Sequence, residues 1–382
     1  MTDSAAIDVP VIVIGAGPAG LAVGACLKRA GVRSILLERG ENVGSTWRRH
    51  YDRLHLHTAR QHSALPLIPF PPETPRYASR QQVVDYLENY AKRTALDIRF
   101  GQEVMSAKRA AGRWTVTTAD NTYESSYLVV AAGNIREPNL PDYPGQADFA
   151  GEVIHSSQYR NGSAYAGKSA VVVGFGNSGG EIAIDLHDSG ARTTMSVRSA
   201  VNVIPRELFG LPILSIGIAQ QRTPARISDR LNAPILRAVI GDFTKHGLRK
   251  LPYGPATQIR KHHTIPLIDI GTIDLIKSGA ITVRPGIETF TTTGVTFTDG
   301  THVDADVVVL ATGYRPRVDS FIDARASYDE NGTPLISGHE AGVPGLYYCG
   351  YYVSPTGMLR EIGIEARRIA ESIVTTAPSR PA

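Results

Sequence analysis

Cysteine is scarce in this sequence: among its 382 residues only Cys26 and Cys349 are cysteines, and both lie in apolar segments. We therefore expect two buried thiols, and this low usage is typical of a reducing cytoplasm. Long apolar runs are absent as well, and none reaches the roughly 18 residues that a membrane-spanning helix requires. The polar, acidic start MTDSAAIDVP lacks the features of a signal peptide. The sequence thus predicts a cytoplasmic protein that does not span a membrane.

A strong excess of either charge is also lacking, because 40 basic and 36 acidic residues leave a formal net charge of +4. No basic run alternates with aromatic residues, which argues against binding to nucleic acid. No metal site is predicted, and a homodimer is compatible with the sequence. With 42% hydrophobic and 20% charged residues, the chain is typical of a globular protein with two domains.

Glycine, in contrast, follows apolar runs in a pattern with a known mechanism. The run Val9–Ile14 predicts a buried parallel strand, and GAGPAG follows at Gly15–Gly20. A helix over about Ala19–Ala30 and a strand over Ser34–Glu38 complete a βαβ unit. In such a unit the first glycine makes the tight turn, the second lets the backbone approach a pyrophosphate, and the third allows close helix–strand packing. Gly15, Gly17, Pro18 and Gly20 are therefore candidate dinucleotide contacts.

A second copy of this pattern lies near the middle of the chain. The strand predicted at Ala170–Val173 leads into GFGNSG at Gly174–Gly179, a helix over Gly179–Asp188 and a strand over Thr193–Val197. The candidate contacts here are the loop residues Gly174, Gly176, Asn177, Ser178 and Gly179. Two copies in the same context predict two dinucleotide sites.

The residue that ends each second strand distinguishes the two sites. Glu38 follows Gly15 by 23 residues, and an acid there binds ribose hydroxyls and repels a 2′-phosphate, which suits FAD. Arg198 follows Gly174 by 24 residues and precedes Ser199. A guanidinium at this place pairs with the 2′-phosphate of NADPH.

The predicted fold class is α/β, with two Rossmann-like domains and the NADPH domain inserted into the FAD domain. We assign residues 1–164 and 287–382 to the FAD domain and 165–286 to the NADPH domain. Between the two patterns, Gln81–Thr94 has helical spacing, whereas the prolines and glycines of 134–163 indicate a linker. Further strands are predicted at Asp97–Val104, Trp114–Thr118 and Tyr127–Val130. The segment TFTDGTHVDADVVVL predicts a hairpin that turns at Asp299-Gly300, and a final helix is predicted over Ile362–Val374. Residues 205–270 combine proline, arginine and aliphatic helical segments, and the sequence does not establish the succession of elements there.

Two enzyme classes share such an architecture, namely disulfide reductases and monooxygenases. A disulfide reductase needs a redox-active cysteine pair, which the two distant cysteines do not supply. In FAGEVIHSSQY, the residues Phe149, Gly151, His155 and Tyr159 resemble the FxGxxxHxxxY/F fingerprint of flavin-containing monooxygenases. Baeyer–Villiger monooxygenases usually carry Trp at the last place of this fingerprint, so Tyr159 favours the flavin-containing monooxygenases. In this family we interpret His155 as a hinge residue that couples the domains.

Other segments resemble the YUCCA branch of that family, among them YDRLHLHTARQHSALPLIPFP, VVVGFGNSGGEIAIDL, GLRKLPYGP and VVVLATGYRP. The resemblance implies FAD, NADPH and O₂, a C4a-(hydro)peroxyflavin, and oxidative decarboxylation of an aryl 2-oxo acid such as indole-3-pyruvate. The sequence departs from the branch at Ala132, at the C-terminal GYYVSPTGMLREIG and at His57, where many relatives place Asn. Oxygenation of an amine, sulfide, indole or ketone therefore stays open, as does a flavin-bound redox sensor.

The resemblance also extends the set of site residues. It implies further cofactor contacts at Arg39, Trp47, Leu56, His57, Val104, Ala132, Thr312, Gly313 and Gly350. The flavin carries the chemistry, so we name only His57 and Arg60 as catalytic candidates. A 2-oxo acid needs a cation for its carboxylate, for which Arg53, Arg60 and Arg80 are candidates.

Overall fold

Two parallel sheets organise the chain, whose computed structural model describes residues 6–376. The first sheet has five strands in the spatial order Leu346–Tyr348, Tyr127–Val130, Val11–Ile14, Ser34–Leu37 and Asp97–Arg99. All four residues of Val11–Ile14 are buried, as expected for a central strand that is covered on both faces. Helices Pro18–Arg29, Arg80–Thr94 and Met358–Thr376 contribute to the core beside this sheet.

The second sheet is also parallel throughout. Its strands follow the order Glu152–His155, Val307–Leu310, Ser169–Val173, Arg192–Ser196 and Ile281–Arg284. Helix Asn177–Asp188 begins directly after the second glycine turn and buries Ile182, Ala183 and Leu186 in the core of this sheet. The arrangement confirms the predicted α/β class with two Rossmann-like units.

The remaining strands of the described residues form a third five-stranded sheet, one three-stranded sheet and three two-stranded pairs. One sheet contains Ile7–Asp8, Thr122–Ser125, Arg113–Thr117, Ser106–Ala110 and Ile322–Asp323, and another contains Ile287–Phe290, Gly294–Phe297 and His302–Asp304. The two-stranded pairs are Val203–Pro205 with Leu267–Asp269, Glu207–Leu208 with Leu211–Pro212, and Glu137–Pro138 with Tyr314–Arg315. The other helices are Ser45–Arg49, Ile213–Ala219, Ala225–Ile240, Pro255–His262 and Thr272–Lys277.

Both βαβ units lie where the sequence predicted them, but some elements differ. The strand predicted over Asp97–Val104 ends at Arg99, because Gly101 adopts φ +67° and turns the chain away. The predicted linker 134–163 contains strand Glu152–His155, which pairs along its whole length with Val307–Leu310. Both of these strands lie outside residues 165–286. The domain limits stay a prediction, and the hydrogen-bonded sheet extends beyond them on each side.

Residues 1–5 and 377–382 are not described, so the expected absence of a signal peptide concerns a region that lies partly outside the described residues. Within 6–376, no helix has both the length and the apolar character needed to cross a bilayer.

Candidate active site

The first glycine loop shows three different local environments. Gly15 adopts φ +104°, and a Cβ there would lie 2.6 Å from the carbonyl oxygen of Ala131. A Cβ on Gly20 would overlap the carbonyl oxygen of Gly15, so helix and turn touch at this point. Gly17 faces open space, with nothing within 4 Å of a Cβ. The loop thus has a turn glycine, a packing glycine and a glycine that leaves room for a ligand.

The second glycine loop repeats this geometry. Gly174 adopts φ +114°, and a Cβ there would lie 2.5 Å from the carbonyl oxygen of Ala311. A Cβ on Gly179 would overlap the carbonyl oxygen of Gly174, and nothing lies within 4 Å of a Cβ on Gly176. The same division of tasks therefore occurs twice in one chain.

The first glycine loop faces a cavity of about 440 Å³. Eleven of the residues predicted for FAD line it: Gly15, Gly17, Pro18, Glu38, Arg39, Trp47, Leu56, His57, Val104, Ala132 and Gly350. Gly20 lies behind the turn rather than in the lining. Asn177 and Ser178 of the second glycine loop also line this cavity, which we call the cofactor cavity. Residues predicted for two different dinucleotides thus meet at one place.

Glu38 is buried and holds the first loop together. Its Oε2 accepts a hydrogen bond from the Ala16 amide at 2.8 Å, and its Oε1 accepts from the Gly40 amide at 2.9 Å and from Ser45 Oγ at 3.3 Å. A carboxylate has about four acceptor positions, so one remains for a ligand hydroxyl. The position suits the predicted ribose contact.

Cationic side chains give the cofactor cavity a positive character. Arg39, Arg49 and Arg136 line it, and Arg136 stacks over the ring of Phe321 at 4.5 Å. Burial and neighbouring arginines lower the pKa of His50, another lining residue, to about 4, so this imidazole is neutral at physiological pH. Arginines beside the open glycine provide a site for a pyrophosphate. Arg49 and Arg136 were not among the predicted contacts.

The second loop's remaining predicted contacts lie outside this lining. Arg198 and Ser199 are exposed just beyond the end of strand Arg192–Ser196, and the carbonyl oxygen of Arg198 accepts a hydrogen bond from Arg249 at 2.5 Å. The other contacts outside the lining are Gly174, Gly176, Gly179, Thr312 and Gly313. Arg198 therefore lies at the strand end where the prediction requires a cation, and it is exposed there.

His57 makes a contact that sequence reasoning missed. Its Nε2 lies 2.7 Å from Oε1 of Glu181, which is buried in the first turns of helix Asn177–Asp188. The hydroxyl of Tyr51 faces Glu181 and Ser178 from the other side, and burial raises the pKa of Tyr51 well above its ordinary value. His57 Nδ1 is buried without a partner among the described residues. This imidazole nitrogen is thus available to a ligand in the cofactor cavity. In the sequence, the only local indication of the contact between His57 and Glu181 was the acidic residue that ends GFGNSGGE.

The fingerprint residues all have structural contacts. His155 Nε2 donates to the carbonyl oxygen of Gly313 at 3.1 Å when protonated, and burial lowers the pKa of this histidine. Tyr159 donates from its hydroxyl to Asp185 Oδ2 at 2.7 Å, and Phe149 packs edge-on against Phe290. These contacts fit a residue that joins segments, as expected of His155, rather than an acid–base group.

The three arginines predicted to hold a substrate carboxylate are engaged elsewhere. Arg60 donates to the carbonyl oxygens of residues 71, 72 and 74, one of them at 2.5 Å. Arg53 pairs with Asp188 at 2.6 Å, and Arg80 donates to the carbonyl oxygen of Arg48 at 2.8 Å. None of them lines the cofactor cavity. Nearby backbone carbonyls and acids already bind these guanidinium groups, and their assignment to a substrate carboxylate stays a prediction.

Neither thiol is suited to disulfide chemistry. Both cysteines are free and buried, and burial raises the pKa of Cys26 to about 11. Burial also raises the pKa of Cys349 well above its ordinary value. A thiol that stays protonated is a poor nucleophile, which agrees with the rejection of a disulfide reductase.

Comparison with known proteins identifies the family. Residues 12–205 match the family described as pyridine nucleotide-disulphide oxidoreductase. The chain is 41% identical over 348 residues to the indole-3-pyruvate monooxygenase YUCCA1 of Oryza sativa subsp. japonica, covering 89% of this chain and 86% of the relative. The chain belongs to the YUCCA-like flavin-containing monooxygenases. It is therefore a flavin-dependent oxidoreductase of the monooxygenase type.

Solved structures of low sequence identity share the fold of this YUCCA-like monooxygenase. The flavin-containing monooxygenase from Stenotrophomonas maltophilia superposes with a TM-score of 0.74 at 22% identity, covering 97% of this chain and 99% of that chain. The bacillithiol disulfide reductase from Staphylococcus aureus reaches a TM-score of 0.72 at 19% identity, covering 97% and 100%. The fold alone thus does not separate the two enzyme classes, whereas the sequence relatives and the buried thiols do.

Proposed function

We propose that this protein is an FAD- and NADPH-dependent monooxygenase that oxidatively decarboxylates an aryl 2-oxo acid such as indole-3-pyruvate. The observation that carries the proposal is the meeting of both glycine loops at one cavity, where Gly17 leaves room for one dinucleotide and Asn177 and Ser178 approach from the other side. The substrate class is supported by the relatives, which are named indole-3-pyruvate monooxygenases at 36–41% identity.

The residues present fit a flavin dinucleotide. The backbone at Gly17 is open where a pyrophosphate would approach, and the N-terminus of helix Pro18–Arg29 supplies unpaired amide groups. Glu38 would bind the ribose hydroxyls, Arg39 would offset the phosphate charge, and the unpaired Nδ1 of His57 would contact the bound group. When bound, the flavin supplies the redox and oxygen chemistry, and the protein supplies position and electrostatics.

The second loop would hold NADPH. Gly176 leaves its backbone open in the same way as Gly17, and Arg198 stands exposed at the strand end, where a guanidinium can pair with a 2′-phosphate. The pair formed by His57 and Glu181 joins the segment around residue 57 to the helix that follows the second glycine loop, next to the cofactor cavity. In this arrangement the protein would position one cofactor against the other and exclude water between them.

The proposed reaction has a fixed stoichiometry. One 2-oxo acid, one NADPH, one proton and one O₂ give one shortened acid, one CO₂, one NADP⁺ and one water. The test is to saturate the purified protein with FAD and follow NADPH consumption, CO₂ release and products with indole-3-pyruvate, with a thioether and without substrate.

We expect CO₂ and indole-3-acetate in equal amounts, matched to the NADPH consumed above the substrate-free rate. Thioether oxygenation without any decarboxylation would overturn the substrate class and favour the alternative oxygenase. A purified protein that binds no flavin would overturn the proposal as a whole. A homodimer and a cytoplasmic location stay predictions.

A further inference from the structure

A second cavity, of about 250 Å³, adjoins the cofactor cavity. Thr58, Asn177 and Met358 line both cavities, so the two are direct neighbours. Its walls are mostly aliphatic and come from helices Ile213–Ala219 and Ala225–Ile240 and from the strand and loop beside them; they include Ile204, Leu208, Ile213, Ile216, Ile235 and Ile268. We call this space the aliphatic cavity.

The charged residues of the aliphatic cavity are already satisfied by the backbone. Arg260 donates through Nη2 to the carbonyl oxygen of Gln220 at 2.9 Å and through Nη1 to that of Thr223. Asp229 accepts from the amides of Ala256 and Thr257 at 2.8 and 3.0 Å. A carboxylate would therefore find no available cation here, whereas an uncharged ring would be well accommodated.

The uncharged polar groups of the aliphatic cavity differ in whether they have a hydrogen-bond partner. The side-chain amides of Gln220 and Asn232 bond to each other, with distances of 3.2 and 2.9 Å. The hydroxyl of Ser228 is buried and has no partner among the described residues, although the residue is only 1% exposed and lines the cavity. A buried hydroxyl without a partner destabilises the empty protein, and a ligand that donates to it removes that penalty.

We propose that the aliphatic cavity binds the aryl group of the substrate and that Ser228 Oγ accepts a hydrogen bond from a ring N–H, which selects indole over phenyl. The proposal rests on the function proposed above. The 2-oxo acid end then lies on the cofactor side, where Arg49 lines the neighbouring cavity and has no ion-pair partner among residues 6–376. In this proposal the substrate extends past the three shared lining residues, from one cavity into the other.

The test uses the FAD-loaded enzyme and two substrates that differ in the ring, indole-3-pyruvate and phenylpyruvate. Ser228→Ala should lower kcat/KM for indole-3-pyruvate about tenfold and that for phenylpyruvate less than twofold, since a site built for a donor rejects the analogue without it. Ile216→Phe narrows the cavity and should lower kcat/KM for both acids at least tenfold. Ile218→Phe, in the same helix but outside the lining, is the matched control and should change neither.

A second readout does not depend on turnover. Binding of indole-3-acetate and phenylacetate is measured by calorimetry, and Ser228→Ala should weaken only the indole acid. If the Ile216→Phe protein does not bind flavin, Ile235→Phe narrows the aliphatic cavity from helix Ala225–Ile240 instead. Equal effects of Ser228→Ala on both rings would overturn the N–H recognition, and unchanged kinetics and binding in both narrowing variants would overturn the site. Selective binding without CO₂ release would instead refute the proposed function and leave this site intact.

Discussion

Replacing single glycines of the first loop by alanine should separate ligand binding from folding. Gly17 has φ −79° and ψ −173°, which any residue can adopt, and nothing surrounds its Cβ position. Gly20 has no such room, because its Cβ would overlap the Gly15 carbonyl oxygen. Gly17→Ala should therefore fold normally and fail at the ligand, whereas Gly20→Ala should fail at the fold.

The magnitudes follow from these environments. A Gly→Ala change at a compatible position stabilises a protein by about 0.4–1 kcal/mol, because the unfolded chain loses freedom. The flavin-free Gly17→Ala protein should thus melt at the wild-type temperature or up to about 2–4 °C above it. Overpacking against a backbone atom costs about 1–3 kcal/mol or more, so the Tm of flavin-free Gly20→Ala should fall by several degrees.

The assay is calorimetric melting of the flavin-free proteins together with titration of FAD. Gly17→Ala should raise the Kd for FAD at least tenfold, since the new methyl group occupies the space left for the pyrophosphate. Gly176→Ala and Gly179→Ala provide the matched pair in the second loop, with NADP⁺ as the ligand. If Gly17→Ala lowered the flavin-free Tm as much as Gly20→Ala, or left the Kd for FAD unchanged, the assignment of the three glycines would be refuted.

Three further predictions concern charged groups. Arg198→Ala should raise the KM for NADPH far more than that for NADH in steady-state kinetics, and equal changes would remove its assignment to the 2′-phosphate. Glu181→Gln should shift the ¹⁵N resonances of His57 and the absorption spectrum of the bound flavin, because the imidazole loses its carboxylate partner at 2.7 Å; Glu181→Asp should restore part of both, and unchanged spectra would contradict the pairing. Burial raises the pKa of Glu365, which accepts from the Gly350 amide at 2.6 Å, so its contribution to stability is lost as the pH rises. Glu365→Gln should therefore raise the Tm at pH 8, and this gain should shrink as the pH falls towards about 4, the ordinary pKa of glutamate. An equal gain in Tm at pH 8 and at about pH 4 would contradict the argument.

The glycine loops and Glu38 could be predicted from sequence because their roles depend on local backbone geometry. A turn with positive φ, a close helix–strand contact and an acid at a strand end all follow from residues within one βαβ unit. The structure places Gly15, Gly17, Pro18 and Glu38 around one cavity, together with seven contacts that the family resemblance implied.

Contacts between distant segments could not be predicted in this way. His57 and Glu181 are 124 positions apart, and only the tertiary fold brings the segment around His57 to helix Asn177–Asp188. Strand Glu152–His155 lies in a stretch rich in proline and glycine, and its partner, Val307–Leu310, is far along the chain. The contacts of Arg60 are a second example: three carbonyl oxygens within 14 positions bind its guanidinium group, and its charge alone does not indicate them.

The helices of 205–270 were the largest omission. Helix Ala225–Ile240 has apolar residues at a spacing of four, Ile227, Leu231 and Ile235, but all three are exposed, and only Ser228 and Ile240 of the helix are buried. Its importance lies in the cavity that it walls, which depends on the neighbouring helices.

The presence of Asn177 and Ser178 in the lining of the first cofactor's cavity has a thermodynamic consequence. A ligand at the second loop would change the surroundings of a ligand at the first, so the two binding equilibria would share a coupling free energy. By linkage, the factor by which NADP⁺ alters the affinity for FAD equals the factor by which FAD alters the affinity for NADP⁺. The two glycine loops would then form a single cooperative unit, in which the order of ligand binding changes the path but not the final stability of the ternary complex.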